Sequence, residues 1–151
     1  MRFTKMHGAG NDYIYIDARC LDKEIDWPSL SIEMSNRHTG IGSDGIILLQ
    51  SSNRAHLRMS MFNADGSEGM MCGNGIRCLV KYAQKQAVIP FEQSPVMVET
   101  ASGVLNVTPR MKKDQLVGAR VKMGKPEFRA TEIPVNLPNK TTVIDHPIKV
   151  L

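Results

Sequence analysis

Met71-Cys72-Gly73-Asn74-Gly75-Ile76-Arg77-Cys78-Leu79-Val80-Lys81-Tyr82-Ala83 holds one cysteine among glycines and an asparagine, then becomes a helical pattern. Ile76, Leu79, Val80 and Ala83 recur at i, i+3, i+4 and i+7, the apolar stripe of an amphipathic helix. The spacing predicts a helix from near Asn74 to about Gln86, with Cys72 just before its first turn. Backbone N–H groups at that place have no intrahelical partner, and the positive end of the helix dipole favours anions. Sulfur reacts as the thiolate, so a helix start suits a reactive cysteine beside a small anionic ligand. The glycines let backbone approach a ligand closely, and Asn74 adds a neutral donor and acceptor.

Nine of the twelve glycines lie within the first 75 residues. They punctuate three loops: Gly8-Ala9-Gly10-Asn11-Asp12, Gly40-Ile41-Gly42-Ser43-Asp44-Gly45, and Gly66 through Gly75. Strand-like runs lie between them: Phe3 to His7, Tyr13 to Ile16, Ile46 to Leu49, and His56 to Met61, where Leu57, Met59 and Met61 share one face. A first helix is expected from about Pro28 to Asn36, with Asp26 near its start and Pro28 suited to a first turn. After Pro90, Val96–Thr100 and Val104–Val107 flank Ala101-Ser102-Gly103 as a hairpin, and Leu116 to Met123 supplies another strand. From Gly124 onward Pro126, Pro134, Pro138 and Pro147 break the pattern. Residues 126–151, ending in Lys149-Val150-Leu151, read as a linker and the opening of a further unit, or as a tail.

The chain has 151 residues, enough for one domain with a real core. No apolar run approaches the roughly 20 residues a membrane helix needs, and the N-terminus carries no apolar signal segment. A cytoplasmic protein is expected. The net charge of +4 is spread out, and aromatics make up only 5% of residues. That argues for a solvated surface and against a nucleic-acid interface, which wants a dense basic stripe with stacking rings. Three cysteines give no disulfide framework, and the histidines at 7, 38, 56 and 146 show no metal-ligand spacing.

Three asparagines sit in these Gly-rich loops: Asn11, Asn63 and Asn74. Each can offer an amide to a carboxylate or an ammonium group, although Asn and Gly are also ordinary turn residues. Neither a dinucleotide fingerprint nor a P-loop is present. Cys78 reads as a small buried hydrophobe. Cys72 could serve as a nucleophile, given a histidine such as His7 or His38 beside it, or as a base. Its amide-rich surroundings suit proton abstraction next to a carboxylate, with neutral donors stabilising the charge that develops.

Three segments together resemble the diaminopimelate epimerases: Lys5-Met6-His7-Gly8-Ala9-Gly10-Asn11-Asp12, Asn36-Arg37-His38-Thr39-Gly40-Ile41-Gly42-Ser43-Asp44-Gly45, and Phe62-Asn63-Ala64-Asp65-Gly66-Ser67-Glu68 through Cys72-Gly73-Asn74-Gly75-Ile76-Arg77-Cys78. The resemblance covers about residues 1–125. It implies an α/β (α+β) domain in which a mixed, mostly antiparallel sheet wraps round a central helix. It implies interconversion of LL- and meso-diaminopimelate for lysine and peptidoglycan synthesis, without pyridoxal phosphate, metal or other cofactor. In such enzymes two cysteines work on opposite faces of the α-carbon, in a cleft between two similar domains. Carried over residue by residue, Cys72 is one acid/base, Gly73 and Asn74 bind the α-carboxylate end, and Asn11 and Asn63 contact substrate. Gly45 stands where some members carry a side chain that touches substrate.

Family members are nearly twice as long, and neither Cys20 nor Cys78 lies in a loop matching the second catalytic cysteine. The expected assignment is therefore an N-terminal epimerase domain, residues 1–125, inactive alone, whose partner is a complementing C-terminal half or a second copy of the chain. Two other readings stand beside it. One is a related cofactor-independent racemase, although proline-racemase-like proteins usually have histidine after the Cys-Gly pair, where this chain has Asn74. The other is a non-catalytic module that binds a small zwitterion or pairs with another chain.

Overall fold

The computed structural model describes residues 1–21, 24–113, 115–133, 135–136 and 142–147. The expectations for Pro134, Pro138 and Lys149-Val150-Leu151 lie outside the described residues. Seven strands form one sheet in chain order: β1 (Thr4–Gly8), β2 (Asn11–Asp17), β3 (Gly45–Gln50), β4 (Leu57–Asn63), β5 (Val96–Thr100), β6 (Gly103–Lys112) and β7 (Gln115–Val121). Neighbours pair antiparallel except β2 with β3 and β4 with β5. Each parallel pair needs a crossover. Helix α1 (Trp27–Ser35) lies in the first, and helix α2 (Gly73–Lys85) in the second.

The centre of the sheet is covered on both faces. Along β2 and β3 successive side chains point to opposite sides. Tyr13, Tyr15, Ile47 and Leu49 face α2, where they join Ile76, Leu79, Val80 and Ala83. Ile14, Ile16, Ile46 and Leu48 face the other way, against Trp27, Met34 and Ile41. This two-sided burial explains why β3 reads as an unbroken apolar run, Ile46-Ile47-Leu48-Leu49, rather than an alternating one.

Helix α2 touches β1, β2 and β3 from one end of the strand order and β6 and β7 from the other. The sheet therefore curls around it. This is the mixed, mostly antiparallel sheet about a central helix that the resemblance implies. The four residues of the sequence stripe, Ile76, Leu79, Val80 and Ala83, are all fully buried. Cys78 is buried in the same cluster, as its reading as a small hydrophobe expects.

Most element boundaries move by a residue or two from the sequence expectation, but β6 runs five residues past the expected Val107, to Lys112. The first helix begins at Trp27 because the Asp26 carboxylate caps it, accepting from the Ser29 backbone N–H at 3.2 Å. Asn11 and Asn63, expected in loops, are the first residue of β2 and the last of β4. The first loop shrinks to a two-residue hairpin turn at Ala9 and Gly10, both with positive φ, and pairing resumes at once between Gly8 and Asn11. Beyond β7 the described residues contain one isolated bridge, Arg129 with Thr142.

Leu79→Ala removes a fully buried side chain from the axis of the fold and is expected to cost about 2–5 kcal/mol. Urea denaturation checks this, with Val117→Ala, at a half-exposed strand position, expected to stay within about 0.5 kcal/mol of the parent.

Candidate active site

Cys72 is the N-cap of α2. Its φ of −128° lies outside the helical range, and its sulfur accepts from the Gly75 backbone N–H at 3.2 Å. Serine, threonine, aspartate or asparagine usually takes this place with an oxygen. Here a sulfur does the capping, which aims it at the N–H end of the helix. Gly75 makes this possible. A Cβ there would come within 2.4 Å of Ile47 Cδ1 and within 3.4 Å of the Cys72 sulfur. The Tyr15 hydroxyl, buried beneath, donates to the Gly75 carbonyl at 3.2 Å and ties the first turn to β2.

The hairpin turn at Ala9-Gly10 delivers Asn11 to the same sulfur. The Cys72 thiol donates to Asn11 Oδ1 at 3.2 Å. Asn11 Nδ2 donates to Asp44 Oδ2 at 2.6 Å, and the Asp12 backbone N–H donates to that same oxygen at 3.0 Å. The other Asp44 oxygen accepts from Arg37 Nη2 at 2.9 Å. Arg37 also grips Asp12, with Nη2 2.7 Å from Oδ1, and Lys5 Nζ lies 3.1 Å from Asp12 Oδ2. Hydrogen bonding to Arg37, with help from Lys5, holds the Asp12 carboxyl down at about 2 against the opposing effect of burial.

Tyr13 completes the wall. Burial first, and then the neighbouring Cys72 sulfur, push its phenol up to about 12, so it remains protonated at neutral pH. Its ring explains Gly45. A Cβ on Gly45 would lie 2.2 Å from the Phe62 carbonyl oxygen and 3.0 Å from Tyr13 Cε1, at a φ of +151° that side chains rarely adopt. No side chain fits at position 45 without moving β4.

The remaining expected site residues are placed as follows. Asn63 pairs with Gly45 across β3 and β4, and the next residue, Ala64, donates its N–H to the Asp44 carbonyl at 3.0 Å. The Asn63 amide itself donates to Ser67 Oγ at 3.0 Å. Gly73 and Asn74 open α2. The Asn74 side-chain oxygen accepts from Arg77, whose Nε also donates to the Gly73 carbonyl at 3.2 Å. The Asn74 backbone packs against Gly8 at the end of β1. All three Gly-rich segments thus meet at one end of strands β1 to β4. Of these three asparagines only Asn11 touches the sulfur, while Asn63 and Asn74 turn their amides to local partners.

The hydrogen-bond partners found for the sulfur are an amide oxygen and a backbone N–H, not an imidazole. His38 binds the Asn36 side chain through its backbone N–H, and His56 accepts from the Met97 N–H. Among the described residues no three His, Cys, Asp or Glu side chains gather as a metal site would need, and no helix is long and apolar enough to cross a membrane. Sequence reading missed Tyr13 beside the thiol, and Asp44 and Arg37 in the layer behind Asn11. Asp44 stands inside a quoted segment, but no local spacing reveals that its carboxylate binds an amide 33 residues away.

The fold is one that solved epimerase and probable racemase structures share. The chain belongs to the diaminopimelate epimerase family, whose sequence model it matches over residues 3–129. It is 40% identical over 150 residues to a diaminopimelate epimerase of Caldanaerobacter subterraneus subsp. tengcongensis, covering 99% of this chain and 53% of that protein. It is 44% identical over 149 residues to one from Methanococcus maripaludis, covering 98% of this chain and 52% of that protein. The chain spans about half the length of the curated relatives it matches. Among solved structures, a hydroxyproline epimerase from Agrobacterium vitis with bound trans-4-hydroxy-L-proline shares the fold at a TM-score of 0.56 and 15% identity, over 79% of this chain and 40% of that one.

The depressed Asp12 carboxyl carries a pH signature. A carboxyl whose folded value lies below its unfolded value near 4 stabilises the fold fully above that value, and the gain fades as pH falls toward about 2. Asp12→Asn is expected to destabilise the chain at pH 6 and to reduce the acid sensitivity of its melting temperature between pH 4 and pH 2. Thermal melts across that range measure both effects.

Proposed function

We propose that this chain supplies one half of a diaminopimelate epimerase active site, with Cys72 as one of two acid/base groups that exchange a proton at the α-carbon of LL- and meso-diaminopimelate. The observation that carries the reading is the Cys72 sulfur, held at the start of α2 between the Gly75 N–H and the Asn11 amide. A sulfur so placed can take or give a proton over a short path. The N–H groups of Gly73 and Asn74, at the helix start where intrahelical partners are lacking, would receive the α-carboxylate beside it. Removing a proton from that α-carbon pushes negative charge onto the carboxylate, which these donors and the helix dipole stabilise. Asn11 and Asn63 contact substrate from the strand ends.

Epimerisation needs a base on one face and an acid on the other. Cys78 is a buried residue of α2 itself, and Cys20 is exposed three residues past the end of β2, so the second group comes from beyond this single chain. Residues 1–125 form the epimerase domain, and residues 126–151 are the linker and the start of a second domain, the part that carries the second cysteine. That part is a C-terminal half or, as an alternative, the contribution of a second copy. The setting is cytoplasmic amino-acid synthesis leading to lysine and peptidoglycan.

The isolated chain is expected to show negligible LL-to-meso turnover and to gain it when the remaining half is supplied in the same chain or in trans. Deuterium uptake at the α-carbon in heavy water is the sensitive measure. Robust two-way epimerisation by the isolated chain overturns the half-site reading, and failure of the complemented enzyme to exchange the α-proton supports a non-catalytic binding module instead. In the complemented enzyme, Asn74→Ala is expected to raise KM about tenfold, the scale of one lost polar contact, with a melting temperature within a few degrees of the parent.

A further inference from the structure

We infer that Asp44 is a positioning residue that keeps Cys72 in its proton-carrying form by locking the Asn11 amide with its oxygen toward the sulfur; this rests on the acid/base reading of Cys72. The orientation of an asparagine amide is set by its partners. A carboxylate only accepts hydrogen bonds, so the Asn11 group 2.6 Å from Asp44 Oδ2 is the NH₂ and the group facing Cys72 is the carbonyl. That carbonyl can accept a proton from a thiol but has nothing to donate to a thiolate. The amide cannot turn over, because Asp44 is itself held by Arg37 and by the Asp12 backbone N–H.

The sulfur therefore sits between opposed partners. The Gly75 N–H favours sulfur that has lost its proton, and the Asn11 carbonyl favours sulfur that keeps it. Among the described residues the protonated Tyr13 phenol also stands beside the thiol, while Asp12, Lys5 and Arg37 stand one layer back. Two-base proton exchange requires that one of the two sulfurs start with a proton and the other without. The Asp44–Asn11 link assigns the proton to Cys72 at rest. Two acceptors, the carboxylate of residue 44 and the carbonyl of residue 11, thereby act on a sulfur that Asp44 does not touch.

The experiment is the rate of carbamidomethylation of Cys72 by iodoacetamide in the 151-residue chain, read by peptide mapping against exposed Cys20 as internal reference. Asp44→Ala frees the amide to present its NH₂ to the sulfur, and the Cys72 rate is expected to rise about fivefold relative to Cys20, the scale of one exchanged hydrogen bond. The pH profile of that rate shifts to lower pH. Asp44→Asn, which can still accept from Asn11, stays within about twofold of the parent. In an Asn11→Ala background, Asp44→Ala adds nothing. A purely structural role predicts that the Cys72 and Cys20 rates move together as the melting temperature falls. An unchanged or slower Cys72 rate in folded Asp44→Ala overturns the proposal. If that variant does not fold, Arg37→Gln loosens the same carboxylate from the exposed side and is expected to give a rise of about twofold; no rise overturns the proposal as well. The assay contains no substrate, so it can fail while the epimerase reading stands, and α-proton exchange can fail while this result stands.

Discussion

Everything in this domain is arranged around one buried helix. The apolar stripe Ile76, Leu79, Val80 and Ala83 has no other place to escape water, and the sheet bends to cover it from both ends of its strand order. Burial of that stripe is worth far more than any single polar contact in the structure. It fixes where α2 lies and hence where its N-terminus opens. The chemistry sits at the end of the element that the hydrophobic effect holds most firmly.

The sulfur's neighbours are assembled by a different kind of constraint. Asn11, Asp44 and Asn63 come from three separate strand ends, yet β2, β3 and β4 are adjacent in one sheet. Strand register alone brings Gly45 opposite Asn63 and leaves Asp44 within reach of Asn11. The charged groups then work inward from the rim. Arg37 is half exposed, Asp12 and Asp44 are less so, and Asn11 passes their arrangement to the thiol as a neutral group. No net charge has to be buried beside the sulfur, which avoids a large desolvation cost.

How much of this was legible in the sequence depended on whether the cause was local. The helix stripe, the alternation through Leu57, Met59 and Met61, and the Asp26-Trp27-Pro28 start of α1 are local signals, and the elements lie within a residue or two of where those signals put them. The helix-start position of Cys72 was readable from the glycines and the stripe behind it. The curling of the sheet was not, and it entered through resemblance to a family. The Asp44–Asn11 bond was invisible because it joins residues brought together only by a parallel strand pair. Gly45 likewise reads as a loop glycine until the Phe62 carbonyl and the Tyr13 ring are seen to fill the space a side chain would take.

The use of sulfur as the N-cap gives α2 an unusual property. In most helices the capping atom has no other duty, but here the atom that caps is also the atom that handles the proton. Whatever is bonded to that sulfur, whether a proton, a reagent or an oxidant's oxygen, also changes how well the first turn is closed. The firmness of the helix start and the chemical state of the site are thus two readings of a single bond, and an electrophile that found this cysteine would loosen the entrance of the domain as it disabled it.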